Sequence, residues 1–191
     1  MKAVIIYESM FGNTRAVADA IAAGLRTEGE ATVVAAADAG KADLGGVDLL
    51  VVGGPTHVHG LPWLSSRKSA VREAESSQGR LQVESGAADE YGLRTALEDL
   101  PAGGHAGRGG DGDGAGHPAA AAFDTRRSGP ALFTGRASRA IAKRLRQRGY
   151  ESAASPASFL VDGKEHLLEG EIDRAVAWGK SLAAGTRSGS G

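Results

Sequence analysis

Six residues, Ser9-Met10-Phe11-Gly12-Asn13-Thr14, stand between an apolar run at 3–7 and a helical pattern that starts near residue 13. A loop that leaves a strand and opens a helix turns several backbone N–H groups toward one point. The helix dipole favours an anion there. Ser9 and Thr14 add hydroxyl donors, and Gly12 lets the backbone curl closely around a bound group. Phosphate binding is one use of this spacing. A plain helix cap by Asn13 or Thr14 is the other, and the local residues alone leave the two level.

Other chemistry-bearing patterns lack their context. Gly107-Arg108-Gly109-Gly110-Asp111-Gly112 fits G-x-G-x-x-G, but no strand precedes it and no helical pattern follows. Asp111-Gly112-Asp113-Gly114 begins like a calcium loop, yet no Glu closes it at position twelve. Gly179-Lys180-Ser181 lies inside a helical pattern without the earlier glycine of a phosphate loop. His57 and His59 offer two metal-ligand side chains with no evident third, so metal binding is not expected. There is no G-x-S-x-G nucleophile motif.

A basic run is harder to dismiss. Arg126, Arg127, Arg136, Arg139, Lys143, Arg144, Arg146 and Arg148 fall between Thr125 and Tyr150 with no acidic residue among them. A solvated helix face accounts for such a run. So does a docking surface for an acidic partner or for an anionic nicotinamide phosphate.

The elements that must position these residues follow from periodicity. Residues 3–7 form a continuous β-branched run, as in a strand buried on both faces. Val17, Ile21 and Leu25 then mark a helical stripe, which Gly29 can end in the left-handed conformation. Strands are expected at 32–35, at 49–52 (stopped by Gly53-Gly54-Pro55), at 119–123 (ending at Asp124) and at 158–161. Helices are expected at 66–77, at 92–100, at 136–148 on Ala137, Ile141 and Leu145, and at 172–182 with Ile172, Val176, Gly179 and Leu182 or Ala183 inward. Residues 102–117 are dominated by glycine and read as a loop; Gly185 onward reads as a tail. Strands alternating with helices argue for βαβ units, a parallel sheet and helices on both its faces.

Composition narrows the chemistry further. The 191 residues suit one domain, taken here as 1–185 with a flexible tail at 186–191. Hydrophobic residues make up 41% and charged residues 24%, as in a folded soluble domain. Lys and Arg total 22 against 23 Asp and Glu, so no global charge draws the chain to nucleic acid or membrane. The absence of cysteine excludes disulfides, thiolate nucleophiles and cysteine-held clusters, so redox chemistry would ride on an organic cofactor. The N-terminal apolar run is too short for a secretory leader, and no stretch is long enough to span a membrane. A cytoplasmic location is expected.

The segment Tyr7-Glu8-Ser9-Met10-Phe11-Gly12-Asn13-Thr14 resembles the phosphate-binding loop of flavodoxin-like proteins, (Ser/Thr)-x-x-Gly-x-Thr after the first strand. Gly53-Gly54-Pro55-Thr56-His57-Val58-His59-Gly60, after the third strand, resembles the loop those proteins wrap around the isoalloxazine ring. Phe123-Asp124-Thr125-Arg126 takes the matching place after the fourth. The resemblance implies a doubly wound α/β fold with a five-stranded parallel sheet in the order 2-1-3-4-5, and FMN at the switch point between the first and third strands; flavodoxin is itself the standard example of that rule.

It also implies a cofactor site made of Ser9, Met10, Phe11, Gly12, Asn13 and Thr14, of Pro55, Thr56, His57, Val58, His59 and Gly60, and of Asp124, Thr125 and Arg126. Neither a catalytic side chain nor a metal is implied. The partner would be a redox protein or a small-molecule electron donor or acceptor.

Three features separate the chain from acidic electron carriers. Its charge is nearly neutral; its loops offer His57, His59 and the more distant Trp63 where Trp or Tyr usually stacks on the ring; and residues 64–118 are longer than a short-chain flavodoxin needs. Pro55-Thr56 is closer to FMN-dependent quinone reductases. The function expected is FMN-dependent electron transfer. The alternatives are an FMN-dependent NAD(P)H:quinone oxidoreductase and a regulatory module with weak or no flavin binding.

Overall fold

The fold is that of a computed structural model, which describes residues 1–56, 92–102, 118–129 and 135–188. Five strands form one parallel sheet: β1 (Lys2–Tyr7), β2 (Glu30–Ala35), β3 (Leu49–Pro55), β4 (Ala119–Arg127) and β5 (Ala157–Val161). Their order is β2-β1-β3-β4-β5, as expected. Among the described residues four helices flank the sheet: α1 (Asn13–Leu25), α2 (Leu93–Asp99), α3 (Ala137–Gln147) and α4 (Glu171–Ser188). A 3₁₀ turn, Ala36–Lys41, follows β2.

The period-2 alternation of the strands divides the core into two layers. Ala3, Ile5, Leu49, Val51, Ala121 and Phe123 face α1 and α4, together with Val17, Ile21, Leu25 and Leu182. Val4, Ile6, Leu50, Val52, Ala120 and Ala122 face the other way, onto Leu93, Leu97, Ile141 and Leu145. The sheet is buried on both faces, which is why its central strands read as unbroken apolar runs.

β3 and β4 run past their expected ends. Gly53 and Gly54 do not stop β3; they pair with Phe123 and Asp124 of β4. They are small because their neighbours come close: a Cβ on Gly53 would lie 2.1 Å from the Phe123 ring, and one on Gly54 would lie 2.6 Å from Leu93 Cδ2. β4 continues through Asp124, Thr125, Arg126 and Arg127, which pair with β5 from Ser158 to Val161. Asp124–Arg126 is therefore strand and not a turn.

The helices differ at their ends. α1 stops at Leu25 with Arg26 still right-handed, so Gly29 does not terminate it; Gly29 instead passes so near Met1 that a Cβ would lie 2.1 Å from the Met1 carbonyl oxygen. α4 starts at Glu171 and extends through Ser188, beyond the tail expected from Gly185. Ile172, expected inward, is 42% exposed, and Ala175, Gly179, Leu182 and Ala183 form the buried stripe. The helix expected at 66–77 and nearly all of the glycine-rich loop, 103–117, lie outside the described residues.

Candidate functional site

Three strands end their carboxyl edge beside a helix N-terminus, and the polar groups at those junctions divide sharply by role. At the first junction, β1 passes through Glu8, Ser9, Met10, Phe11 and Gly12 into α1. Gly12 is the N-cap, with φ at 86°, a left-handed conformation that suits glycine and swings the chain into the helix. No side chain caps this helix, and its first turn holds no acidic residue. The amide of Gly12 donates to Ser9 Oγ at 3.1 Å, leaving the Ser9 hydroxyl proton to donate elsewhere. Ala16 is the first residue to donate into the helix, to the Gly12 carbonyl, so the amides of Asn13 and Thr14 precede the intrahelical bonds.

Side chains around this loop are held by distant parts of the chain. Met10 is buried and Phe11 half-buried. Thr14, 2% exposed, shares a 2.7 Å hydroxyl–hydroxyl hydrogen bond with Thr125 of β4. Asn13 Nδ2 donates to the Glu165 carbonyl at 2.8 Å, and the Glu165 carboxylate accepts from Arg127 at 2.9 Å. Glu165 makes both contacts from a left-handed backbone, φ 62°, in the loop between β5 and α4. That loop is shaped by Asp162, whose Oδ1 accepts the amides of His166 and Lys164. The His166 amide, with a smaller effect from Lys164, holds the Asp162 carboxyl below its ordinary range.

The other junctions already contain carboxylates. Glu8, buried beyond β1, accepts the Leu93 amide at 2.7 Å through Oε2 and so caps α2. Asp124, fully buried on β4, accepts the Ser138 amide at 2.8 Å and so caps α3. Thr56 joins the two elements: its hydroxyl accepts the Ala137 amide at 3.0 Å and donates to Asp124 Oδ2 at 3.2 Å, while its own amide donates to the Thr125 carbonyl. In the first turn of α4 stand Glu171 and Asp173. Among the described helices, α2, α3 and α4 therefore carry their own anion at the positive end, and α1 does not.

Of the residues expected to form a site, the structure brings together Ser9 to Thr14 and Thr125 at α1, and Pro55, Thr56 and Asp124 at the adjoining ends of β3 and β4. Arg126 donates to the carbonyls of Arg127 and Gly129. His57, Val58, His59 and Gly60 lie outside the described residues, as does Trp63. Sequence reasoning missed Glu8 and Glu165, whose partners Leu93, Asn13 and Arg127 are far away in the chain. The only local signal for Glu8 was a carboxylate placed at the end of a buried strand. Among the described residues there is no cluster of three His, Asp or Glu able to hold a metal, and no helix is long and apolar enough to cross a membrane.

Residues 4–66 match the family model described as a flavodoxin domain. No curated protein matches the sequence. Among solved structures, flavodoxin 2 from Bacillus cereus superposes with a TM-score of 0.61 at 21% identity, over 96% of this chain and 99% of that one. A flavodoxin from Streptococcus pneumoniae TIGR4 gives 0.60 at 18% identity, over 96% and 99%. One from the domain Archaea gives 0.59 at 18% identity, over 98% and 99%. Sheet order, helix placement and these superpositions give the chain a flavodoxin-like fold, with a flavodoxin-domain match over its first third.

Proposed function

We propose that the chain binds FMN with its phosphate at the N-terminus of α1 and acts in electron transfer. The observation that carries this reading is the division of charge at the helix N-termini. Glu8 and Asp124 occupy those of α2 and α3, and acidic residues stand in the first turn of α4. α1 has neither a side-chain cap nor an acidic residue in its first turn. Its dipole and first amides are left for an external anion, and a phosphate monoester meets both.

The residues present fit that group. The Ser9 hydroxyl and the amides of Asn13 and Thr14 would hold the phosphate, with Gly12 allowing close approach. Thr14 supports the loop through Thr125, so its hydroxyl serves the cradle's shape. Thr56 and Pro55 would border the ring, along with His57, Val58, His59 and Gly60. Asp124, committed to α3, would fix Thr56 instead of touching the ring. Bound FMN would supply one- and two-electron transfer, and the chain would position it and exclude water around it.

The test is titration of the purified protein with FMN, followed by reduction with NADH or NADPH and assay of quinone turnover. Tight FMN binding with slow turnover supports a carrier. Rapid turnover would make the protein an FMN-dependent NAD(P)H:quinone oxidoreductase on the same site. A protein that takes up no FMN would contradict the reading.

A further inference from the structure

The exposed face of α3 carries charge that no described residue neutralises. Arg139, Lys143 and Arg146 recur at intervals of four and three residues and so form one stripe, opposite the buried Ala137, Ile141 and Leu145. Among the described residues no carboxylate pairs with any of the three. Arg146, in the last turn, suits the helix dipole; Arg139 and Lys143 are not explained that way. Arg139 stands in the first turn, at the positive end of the helix dipole, and its like-charged neighbours repel it. An acidic residue on this face would relieve both effects, yet none occurs between Thr125 and Tyr150. Half-buried Arg144, beside the stripe, adds to the local positive charge: after burial, it lowers the pKa of Arg94 on α2.

The charge is segregated over the whole molecule. Eight basic residues lie in 126–148, which leaves 14 of the 22 for the remainder against all 23 acidic residues. The stripe also begins beside the candidate cofactor site. The Ala137 amide at the head of α3 donates to Thr56, the Thr56 amide donates to Thr125, and Thr125 bonds Thr14 of the phosphate loop.

We propose that this face of α3 docks an acidic redox protein, a purpose that rests on the electron-transfer reading. Arg139 to Arg146 spans about 10 Å along the helix, the scale of one acidic patch on a small protein. Electrostatic complementarity of this kind steers encounter and sets orientation. A nucleic acid is disfavoured because no aromatic side chain lies along the stripe for base stacking. A membrane surface is disfavoured because the exposed positions Arg139, Lys143, Arg146 and Gln147 offer nothing apolar to insert.

The probe is a fluorescently labelled, acidic plant-type [2Fe–2S] ferredoxin, with binding read by anisotropy in about 50 and 200 mM salt. Lys143→Glu should weaken binding about fivefold or more, whereas Lys180→Glu, the same charge change on α4, should alter it less than about twofold. The triple change of Arg139, Lys143 and Arg146 to Glu should abolish it, with the protein still folding cooperatively and FMN affinity unchanged. Retained flavin with lost docking separates this surface from the cofactor site. No binding of ferredoxin at low salt would overturn the proposal, as would equal sensitivity to Lys143→Glu and Lys180→Glu. Tighter binding to a DNA duplex or to phosphatidylserine vesicles than to ferredoxin would overturn it as well.

Discussion

Thr14 and Thr125 share a buried hydroxyl–hydroxyl hydrogen bond of 2.7 Å, so the first turn of α1 is fastened to the end of β4. One hydroxyl removed leaves the other buried without its partner, which costs about 1–3 kcal/mol. Thr14→Val and Thr125→Val should each destabilise the protein by that amount in urea unfolding. The double variant should lose clearly less than the sum, since neither hydroxyl is then orphaned. Additive losses would show that the two side chains act independently.

The cap of α3 depends on Asp124. Asp124→Ala removes the acceptor for the Ser138 amide and for the Thr56 hydroxyl, and should lower stability by roughly 1–3 kcal/mol. Asp124→Asn, which keeps an acceptor oxygen, should lose less. If both variants unfold at the wild-type urea midpoint, the carboxylate does not cap the helix.

α1 and α4 touch through glycines. A Cβ on Gly24 would lie 2.2 Å from the Val176 carbonyl oxygen, and one on Gly179 would lie 2.3 Å from that of Ile21. Gly24→Ala and Gly179→Ala should each lower stability by about 1–3 kcal/mol through forced separation of the helices. Calorimetry measures this directly, and an unchanged melting temperature would refute so close a contact.

Asp162 gives the loop that holds Asn13 a pH dependence. The His166 and Lys164 amides stabilise its ionised form in the folded state, so its folded pKa lies below its unfolded value. The stabilisation is complete above the unfolded value of about 4 and disappears as pH falls through the lower folded value. Urea midpoints measured from pH 6 down to 3 should therefore fall more steeply for the wild type than for Asp162→Asn. Parallel curves would remove Asp162 from the account.

Much of the architecture was legible in the residues. The stripes of α1 and α3 face the core as their periodicity requires, and the sheet has the order that the flavodoxin-like resemblance implies. Strand ends were less legible. Gly53 and Gly54 read as a stop because glycine has no intrinsic preference for a strand, but Phe123 and Leu93 fill the space their missing side chains leave. Asp124 read as a turn residue because a buried charge is rare in a central strand. Its compensation is the amide of Ser138 and the Thr56 hydroxyl, neither of which any local pattern discloses. On α4, Gly179 and Val176 meet α1 as their spacing requires, whereas Ile172, in the first turn of the helix, stays 42% exposed.

Binding of the FMN phosphate at the uncapped N-terminus of α1 is open to direct measurement. Fluorescence titration with FMN and with riboflavin, which lacks the phosphate, isolates that contact in the wild type and in Ser9→Asp. The variant supplies α1 with an internal carboxylate like those at the other helices, set against the incoming phosphate. Hydrogen bonds to a charged group contribute about 1.5–3 kcal/mol, so the wild type should prefer FMN over riboflavin by roughly ten- to a hundredfold. Ser9→Asp should erase the preference and leave riboflavin affinity nearly unchanged. Equal affinity of the wild type for the two flavins would contradict the account.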